Sequence, residues 1–297
     1  MDTERFIRSI SKSNVHYSEN EDMRKNTSFK IGGIAPLIVY PDSAAQVSSV
    51  IRAANEYGIQ YYTLGRGTNL LVRDEGIDFI FIKTTLMDTM KAEGCTLTAG
   101  AGCSDSRTAC YALENSLTGL EFIHGIPGSI GGACYMNAGA YGSQMSDVVQ
   151  SVEYVDADGQ ICRLSGKELK FGYRQSAIGE GQVVCSVTMQ LSHADPEGIR
   201  SRMNELINRR KASQQLEYPS AGSVFKRPEG YFAGKLIQDC GLKGCVSGGA
   251  QVSDKHAGFI INRGGATCKD VLDLIRRIQD EVFEKFGVHL QTEVKII

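Results

Sequence analysis

The sequence predicts a mixed α/β protein built from two or three modules. Three features carry this expectation. A strand-helix-strand order runs through residues 36–83, a strand hairpin and a long alternating strand occupy 152–191, and the chain beyond 196 holds its own capped helix and a terminal strand. At 297 residues the chain is long for a single core.

Residues 1–20 are polar and predict a loosely docked helical extension. PLIVY (36–40) has the composition of a strand. SAAQVSSVIRAANEYG follows, with Ser43 and Gln46 in capping-box positions, a stripe of Val47, Val50, Ile51 and Ala54, and Gly58 as its stop. QYYTL (60–64) and DFIFIK (78–83) are further strands. A helix fits 104–117, with Cys110, Leu113 and Leu117 on one face. VEYVD (152–156) and ICRL (161–164) flank Asp158-Gly159 and read as a hairpin. QVVCSVTMQL (182–191) is apolar at 183, 185, 187, 189 and 191, the period of a half-buried strand. Asp195-Pro196 joins a good cap to a residue suited to the first helical position, so a charged helix runs on to about Lys211. A strong helix at 269–286 carries Val271, Leu274, Ile275, Ile278 and Val282 on one face, with Thr267 and Asp270 in capping-box positions. LQTEVKII ends the chain as a strand. The organisation expected is an extension at 1–20, a first domain at 21–195 with lobes at about 21–88 and 89–195, and a C-terminal domain at 196–297.

Composition narrows the classes of function. Apolar residues make up 42%, enough for a buried interior. The 32 Lys+Arg offset 34 Asp+Glu, and a net charge of −2 points to neither nucleic acid nor an anionic membrane as partner. The start, MDTERFIRSISKS, lacks the apolar core of a signal peptide, and no apolar run reaches the roughly 20 residues of a membrane span. A cytoplasmic protein is expected. Its nine cysteines form no C-x-x-C, and no histidine lies at zinc spacing from Cys240 and Cys245, so reduced thiols and no metal are expected.

Two glycine-rich turns stand out. LGRGTNLLV (64–72) follows a strand, and GIPGSIGG (125–132) has Gly125, Gly128 and Gly131 every third residue. Glycine admits positive φ and close approach of another group, and successive exposed N–H groups form a nest for anions. Thr68, Asn69 and Ser129 can add side-chain hydrogen bonds. Neither turn is a P-loop or a complete G-x-G-x-x-G, so a single-turn dinucleotide site is not expected. Two nests suit a pyrophosphate. The candidate contacts are Gly65, Arg66, Gly67, Thr68, Asn69 and Leu70 in the first, and Gly125, Ile126, Pro127, Gly128, Ser129 and Gly131 in the second. Asn137, Ala138 and Gly139, in MNAGAYG, continue the second as a surface that could lie against something flat and polar.

These stretches carry a family likeness. NTSFKIGG (26–33), LGRGTNLLV, GLEFIHGIPGSIGGACYMNAGAYG (119–142), FGYRQS (171–176), PSAGSVFKRP (219–228), AGKLIQDCGLKG (233–244), GGAQVSDKHAGFIIN (248–262) and LQTEVKII (290–297) resemble the UDP-N-acetylenolpyruvoylglucosamine reductases, in their shorter, second type. The resemblance implies a bilobal FAD-binding domain of the vanillyl-alcohol-oxidase type, followed by an α+β substrate-binding domain that closes over the substrate. It also implies non-covalent FAD with its pyrophosphate in the two turns, NADPH as co-substrate, and UDP-N-acetylglucosamine enolpyruvate as the substrate reduced in peptidoglycan precursor synthesis. A monomer is expected.

In that reaction hydride arrives at the β carbon of an enolpyruvyl ether, and negative charge develops at the α carbon and spreads into the carboxylate. The charge needs donors and cations, and the α carbon needs a proton. By resemblance Arg174 grips the carboxylate, which a guanidinium does with two parallel bonds. Ser223 matches the proton donor, although a free hydroxyl is a weak acid and needs help from water or neighbours. Glu293 matches the family glutamate; if it faces the flavin in a closed site, burial raises its pKa and it can donate to the developing enolate. Lys226 and His256 lie near family positions around the substrate diphosphate, and Tyr141 and Asn262 are further substrate candidates. Thr68 stands where family members often have serine, Ser220-Ala221 where many have Asn-Ala, and Lys295 where arginine is common. Two other readings use the same residues. One is a flavin oxidase of this fold acting on a small alcohol, with His124 or Cys134 as a possible tether. The other is a non-catalytic nucleotide-binding protein.

Overall fold

A computed structural model of the chain describes residues 3–297. The chain forms two compact units that interleave along the sequence. One comprises Met1–Glu19, Leu37–Arg66 and Phe79–Arg209, and the other Asn20–Pro36, Gly67–Asp78 and Arg210–Ile297.

The N-terminal unit holds two sheets. In the first, Ile34–Tyr40, Ile80–Lys83 and Tyr61–Leu64 run parallel in that spatial order, with His16–Asp22 at the edge. The crossover between the first and third is helix α2 (Ala44–Glu56), which buries the expected Val47, Val50, Ile51 and Ala54. Its cap is a variant of the box. Ser43 accepts from the Gln46 N–H, but the Gln46 side chain reaches the Asp42 N–H instead of that of Ser43. The chain's opening differs from the expectation of a loose polar extension. Helix α1 (Thr3–Ser11) drives Phe6 and Ile10 into the same core as α2, and His16–Asp22 is a strand.

The second sheet is five-stranded and antiparallel, in the order Ile161–Ser165, Val149–Val155, Val183–Gln190, Thr96–Gly100 and Met90–Glu93. The Asp158-Gly159 hairpin and the alternating strand are as read from sequence. Helix α3 (Asp105–Glu114) departs from its expected face. It buries Asp105, Thr108, Ala109 and Ala112, whereas Cys110 and Leu113 are only partly buried, and Leu117 lies in a short strand beyond it. Small side chains, not large ones, let this helix approach its neighbours. The short helix α4 (Ile130–Tyr135) begins in the second glycine turn.

The chain leaves this unit inside α5 (Pro196–Ser213), whose first turn is capped by Asp195 accepting from the Gly198 N–H at 3.1 Å. The C-terminal unit has a four-stranded antiparallel sheet in the order Ser220–Ser223, Phe259–Asn262, Ala250–Val252 and Val246–Ser247, packed with α6 (Ala233–Asp239) and α7 (Cys268–Phe286). All five apolar residues predicted for the face of α7 are buried, and Thr267 and Asp270 form the capping box. Asp74 adds to this cap, accepting from the N–H groups of Cys268 and Lys269 at 2.9 and 3.2 Å, and so draws segment 67–78 into this unit. The terminal strand is shorter than predicted. Lys295–Ile296 pairs in parallel with Leu70–Leu71, and a bend at Val294 interrupts the alternation expected over 290–297.

Candidate functional site

In the N-terminal unit the two glycine turns meet where Gly65 lies against the Ser129 side chain. A side chain at Gly65 would put its Cβ 2.6 Å from Ser129 Oγ, and one at Gly131 would stand 2.7 Å from the Ala101 Cβ. Gly65 and Gly131 therefore also serve the protein's own close packing. The N–H groups of Ile130 and Gly131 donate to Cys103 and Ala101 carbonyls at 2.9 and 3.0 Å. The N–H groups just before them, of Gly128 and Ser129, take no backbone acceptor among the described residues and remain for an anion. Ser129 is 3% exposed, and its side chain makes no capping bond. Beside this turn the Arg66 guanidinium reaches the Gly102 carbonyl at 3.4 Å. Gly125, Ile126 and Pro127 lead into the same turn, with the Ile126 N–H on the Ile123 carbonyl.

MNAGAYG forms a small hairpin. Gly139–Ala140 pairs with Ser143–Gln144, and Tyr141 and Gly142 turn the corner at φ 58° and 90°. The backbone of Ala138 is used at both ends, by Ala133 and Met145. Asn137, 2% exposed, spends its side chain on protein. It donates to the Gly172 carbonyl at 3.0 Å and to Gln144 at 3.3 Å, and accepts from the Ser146 N–H at 2.9 Å. Gly172 opens the turn that carries Arg174. That turn closes with reciprocal bonds between Gly172 and Gln175, holds Arg174 at φ 55°, and is fixed behind by Ser176 donating to the Tyr135 carbonyl. The Arg174 guanidinium lies 5.1 Å from the centre of the Tyr173 ring. Arg209 similarly covers Tyr141, at 5.1 Å, which ties up the face of that ring.

In the C-terminal unit a second group of candidates assembles by strand pairing. Val224, next to Ser223, donates to Gly258 and accepts from the N–H of Glu293 at 2.7 Å, while the Lys226 N–H donates to Gln291 at 2.9 Å. Ser223, Lys226 and Glu293 thus sit on adjoining backbone segments, each half-buried. Asn69 completes the pairing. Its side chain donates to the Glu293 carbonyl at 3.1 Å, and its own carbonyl accepts from the Lys295 N–H at 3.0 Å. Asn69 therefore fixes the Glu293 segment. Gly67, at φ 63°, packs on the backbone of Asn26, where no Cβ fits, and its carbonyl accepts from the Ser28 N–H; Thr68 follows it in the same turn, and Leu70 enters the parallel pair.

Two substrate candidates make bonds within the protein. Asn262 is buried and has no capacity left for a ligand: its amide donates to the Phe29 and Lys30 carbonyls, and its oxygen accepts from Gly264 and Ala266. The same conformation turns the chain into α7. His256 turns one ring nitrogen inward, its Nδ1 accepting from the Gly258 N–H with the ring lying against Phe259, which leaves Nε2–H as its donor. Burial pushes its pKa down, and Lys243 and Arg210 push the same way. A neutral imidazole offers no charge to a diphosphate.

Comparison with known proteins shows the family to which the chain belongs. Residues 35–165 match the FAD binding domain family, and residues 214–297 match the UDP-N-acetylenolpyruvoylglucosamine reductase, C-terminal domain family. The UDP-N-acetylenolpyruvoylglucosamine reductase of Clostridium novyi (strain NT) is 50% identical over 93% of this chain and 90% of that protein. The corresponding protein of Caldanaerobacter subterraneus subsp. tengcongensis is 50% identical over 94% of this chain and 92% of its own length. The chain belongs to the UDP-N-acetylenolpyruvoylglucosamine reductase family. The reductase from Thermus caldophilus superposes with a TM-score of 0.81 at 34% identity, covering 95% of this chain and 98% of that one. Phl p 4.0202, a glucose dehydrogenase, shares the fold alone, at 13% identity and a TM-score of 0.53. This reductase is an FAD-dependent oxidoreductase of peptidoglycan synthesis that uses NADPH. FAD is its cofactor, and the spare N–H pair at Gly128 and Ser129 together with the Arg66 cation fits an anionic group such as the cofactor's pyrophosphate. No helix among the described residues is long and apolar enough to cross a membrane.

One residue of this region escaped the sequence reading. Asp105 follows the Ser104 cap and looks like an ordinary acid in the first turn of a helix, yet it is 1% exposed. Nothing in the sequence marks it as buried.

Proposed function

We propose that the reductase reaction of this chain is carried by Arg174, Ser223 and Glu293, with FAD bound non-covalently and its pyrophosphate against the turns at 65–70 and 125–131. Bound FAD supplies hydride to the enolpyruvyl β carbon after NADPH has reduced it. Arg174 grips the substrate carboxylate and meets the charge that spreads into it. Ser223 passes its proton to the α carbon. Glu293 orders the donors at the developing enolate from the neighbouring segment. Lys226, half-buried and close in sequence to Ser223, is the cation proposed for the substrate diphosphate. The observation that carries this reading is the backbone pairing of the Ser223 and Glu293 segments through Val224, which holds the two segments side by side by main-chain bonds.

Non-covalent FAD is supported by the state of one candidate tether. Cys134 is fully buried in α4, and burial pushes its thiol up to about 12, away from the reactive thiolate. A monomer acting in the cytoplasm completes the proposal.

The test is anaerobic. The yellow protein is bleached with one equivalent of NADPH, and UDP-N-acetylglucosamine enolpyruvate is then added. Colour returns without oxygen if the flavin delivers hydride to the enol ether. Bleaching that persists until air enters overturns the reading and favours an oxidase.

A further inference from the structure

One carboxyl in the N-terminal unit takes no part in the hydride chemistry and has an oxygen with no hydrogen-bond partner among the described residues. Asp105 opens α3 with its side chain buried, and its Oδ1 has no hydrogen-bond donor. A carboxylate in that position loses its hydration and gains nothing in return, so the neutral acid is favoured. An acid form, in turn, carries an O–H that needs an acceptor.

The surroundings say where that acceptor would lie. The Asp105 N–H donates to the Gly128 carbonyl at 3.4 Å, and the flanking Ser104 bridges to Ser129, so the residue is tied to the second glycine turn. The Arg66 guanidinium, from the first turn, reaches Gly102 three residues before Asp105, and its charge acts on the carboxyl. Asp105 stands where both turns and the 100–104 corner come together.

The other ionisable groups around α3 are accounted for. Arg107 on the same helix pairs with Asp88. Glu121 accepts from Thr118 and the Gly119 N–H. The His124 ring faces Cys110 at 3.8 Å. Cys103, Cys110, Cys134 and Tyr135 are pushed up by burial and carry no charge near neutrality. Arg66 is the cation that faces Asp105, and burial outweighs it, pushing the carboxyl up to about 8.

We propose that Asp105 is a proton-linked contact of the FAD pyrophosphate: as an acid it donates a hydrogen bond to a phosphate oxygen, and as a carboxylate it repels the diphosphate and draws Arg66 toward itself. The proposal rests on the placing of the pyrophosphate at the two glycine turns. By linkage, binding an anion beside Asp105 raises its affinity for the proton, and losing the proton weakens FAD.

The test is FAD affinity of the full-length apoprotein, read by flavin fluorescence from pH 6.5 to 9.5. In the unmodified protein Kd should rise above about pH 8, approaching tenfold per pH unit for one linked proton. Asp105→Asn keeps a donor and cannot ionise, so the extra alkaline loss should vanish. Arg66→Gln, an exposed change, should weaken FAD at every pH. If Arg66→Gln leaves Kd unchanged, the placing of the pyrophosphate is wrong. If Arg66→Gln weakens FAD but Asp105→Asn has the unmodified profile, the placing stands and the proton link is overturned. A second measurement covers an Asp105→Asn protein that does not fold. Mixing unmodified apoprotein with FAD at pH 8.5 in dilute buffer with an indicator dye should take up a substantial fraction of a proton, and no uptake overturns the proposal.

Discussion

The Arg174 turn and the Ser223–Glu293 pair serve one proposed reaction but are built on opposite principles. Arg174 sits on a loop at positive φ, and one buried amide, Asn137, holds that loop from outside through the Gly172 carbonyl. Ser223 and Glu293 lie on adjoining segments joined through main-chain bonds at Val224 and Lys226. A backbone pairing cannot be cut by replacing one side chain, whereas the Arg174 turn, closed on itself by main-chain bonds, can lose its Asn137 anchor to a single replacement. The two halves should therefore differ in how far a remote substitution reaches the chemistry.

Direct removal gives the largest effect. Arg174→Ala should lower kcat for the enol ether by roughly 10²–10³, the cost of deleting a charge-stabilising donor. Stopped-flow reduction of the flavin by NADPH should be altered far less, and equal losses in both half-reactions would break the assignment. Arg174→Lys should recover only part of the rate, because a lysine cannot make the paired bonds.

Asn137→Ala sharpens the comparison. It should cost about 1–3 kcal/mol of stability by leaving the Ser146 N–H without its partner and the Gly172 carbonyl with the Gln175 N–H alone. It should also lower kcat by about tenfold through the displaced turn, on the scale expected for small misplacements of a catalytic group. Urea denaturation and steady-state rates separate the two. Asn69→Ala is its counterpart in the other unit. It removes the side-chain bond to Glu293 but leaves the backbone bond from Lys295, so about 1 kcal/mol and a few-fold in kcat are expected. An Asn69 effect as large as that of Asn137 would contradict the contrast.

Asp105 provides a stability test with an unusual sign. Its folded pKa of about 8 lies above the ordinary 3.8, so the native state retains a proton that the unfolded chain releases. This contribution is greatest below 3.8, declines as pH rises toward 8, and is flat beyond. Within that window the slope is at most about 1.4 kcal/mol per pH unit. Asp105→Asn removes it, so the variant apoprotein should gain on the unmodified protein in denaturation experiments moved from pH 5.5 to pH 8.

Much of this was legible in the residues. The capping box and apolar face of α7, the Asp158-Gly159 hairpin and the alternating strand at 183–190 follow from local rules, and the structure repeats them. The misses have a common cause. α3 packs through Thr108, Ala109 and Ala112, which carry no strong apolar signal, so its face was assigned to Cys110 and Leu113. Phe6 and Ile10 bury a helix that composition alone presents as polar. Sequence offers Asn137 and Asn69 as cofactor contacts beside glycine turns and Asn262 as a substrate candidate by resemblance, and the structure gives each amide partners in the protein. Only the partners of each amide separate a group that holds the chain from one that holds a ligand. The interleaving of 20–36 and 67–78 with the C-terminal unit depends on long-range bonds such as Asp74 to Cys268, which no local pattern announces.

The central claim is that hydride and proton reach the substrate from separate sources, the proton from Ser223. The direct measurement is both half-reactions of Ser223→Ala, followed anaerobically through the flavin absorbance. The account predicts that NADPH bleaches the variant at close to the unmodified rate, while reoxidation by the enol ether slows by roughly 10²–10⁴, the range for loss of a positioned proton donor. Reoxidation at the unmodified rate would contradict the claim and remove Ser223 from the chemistry.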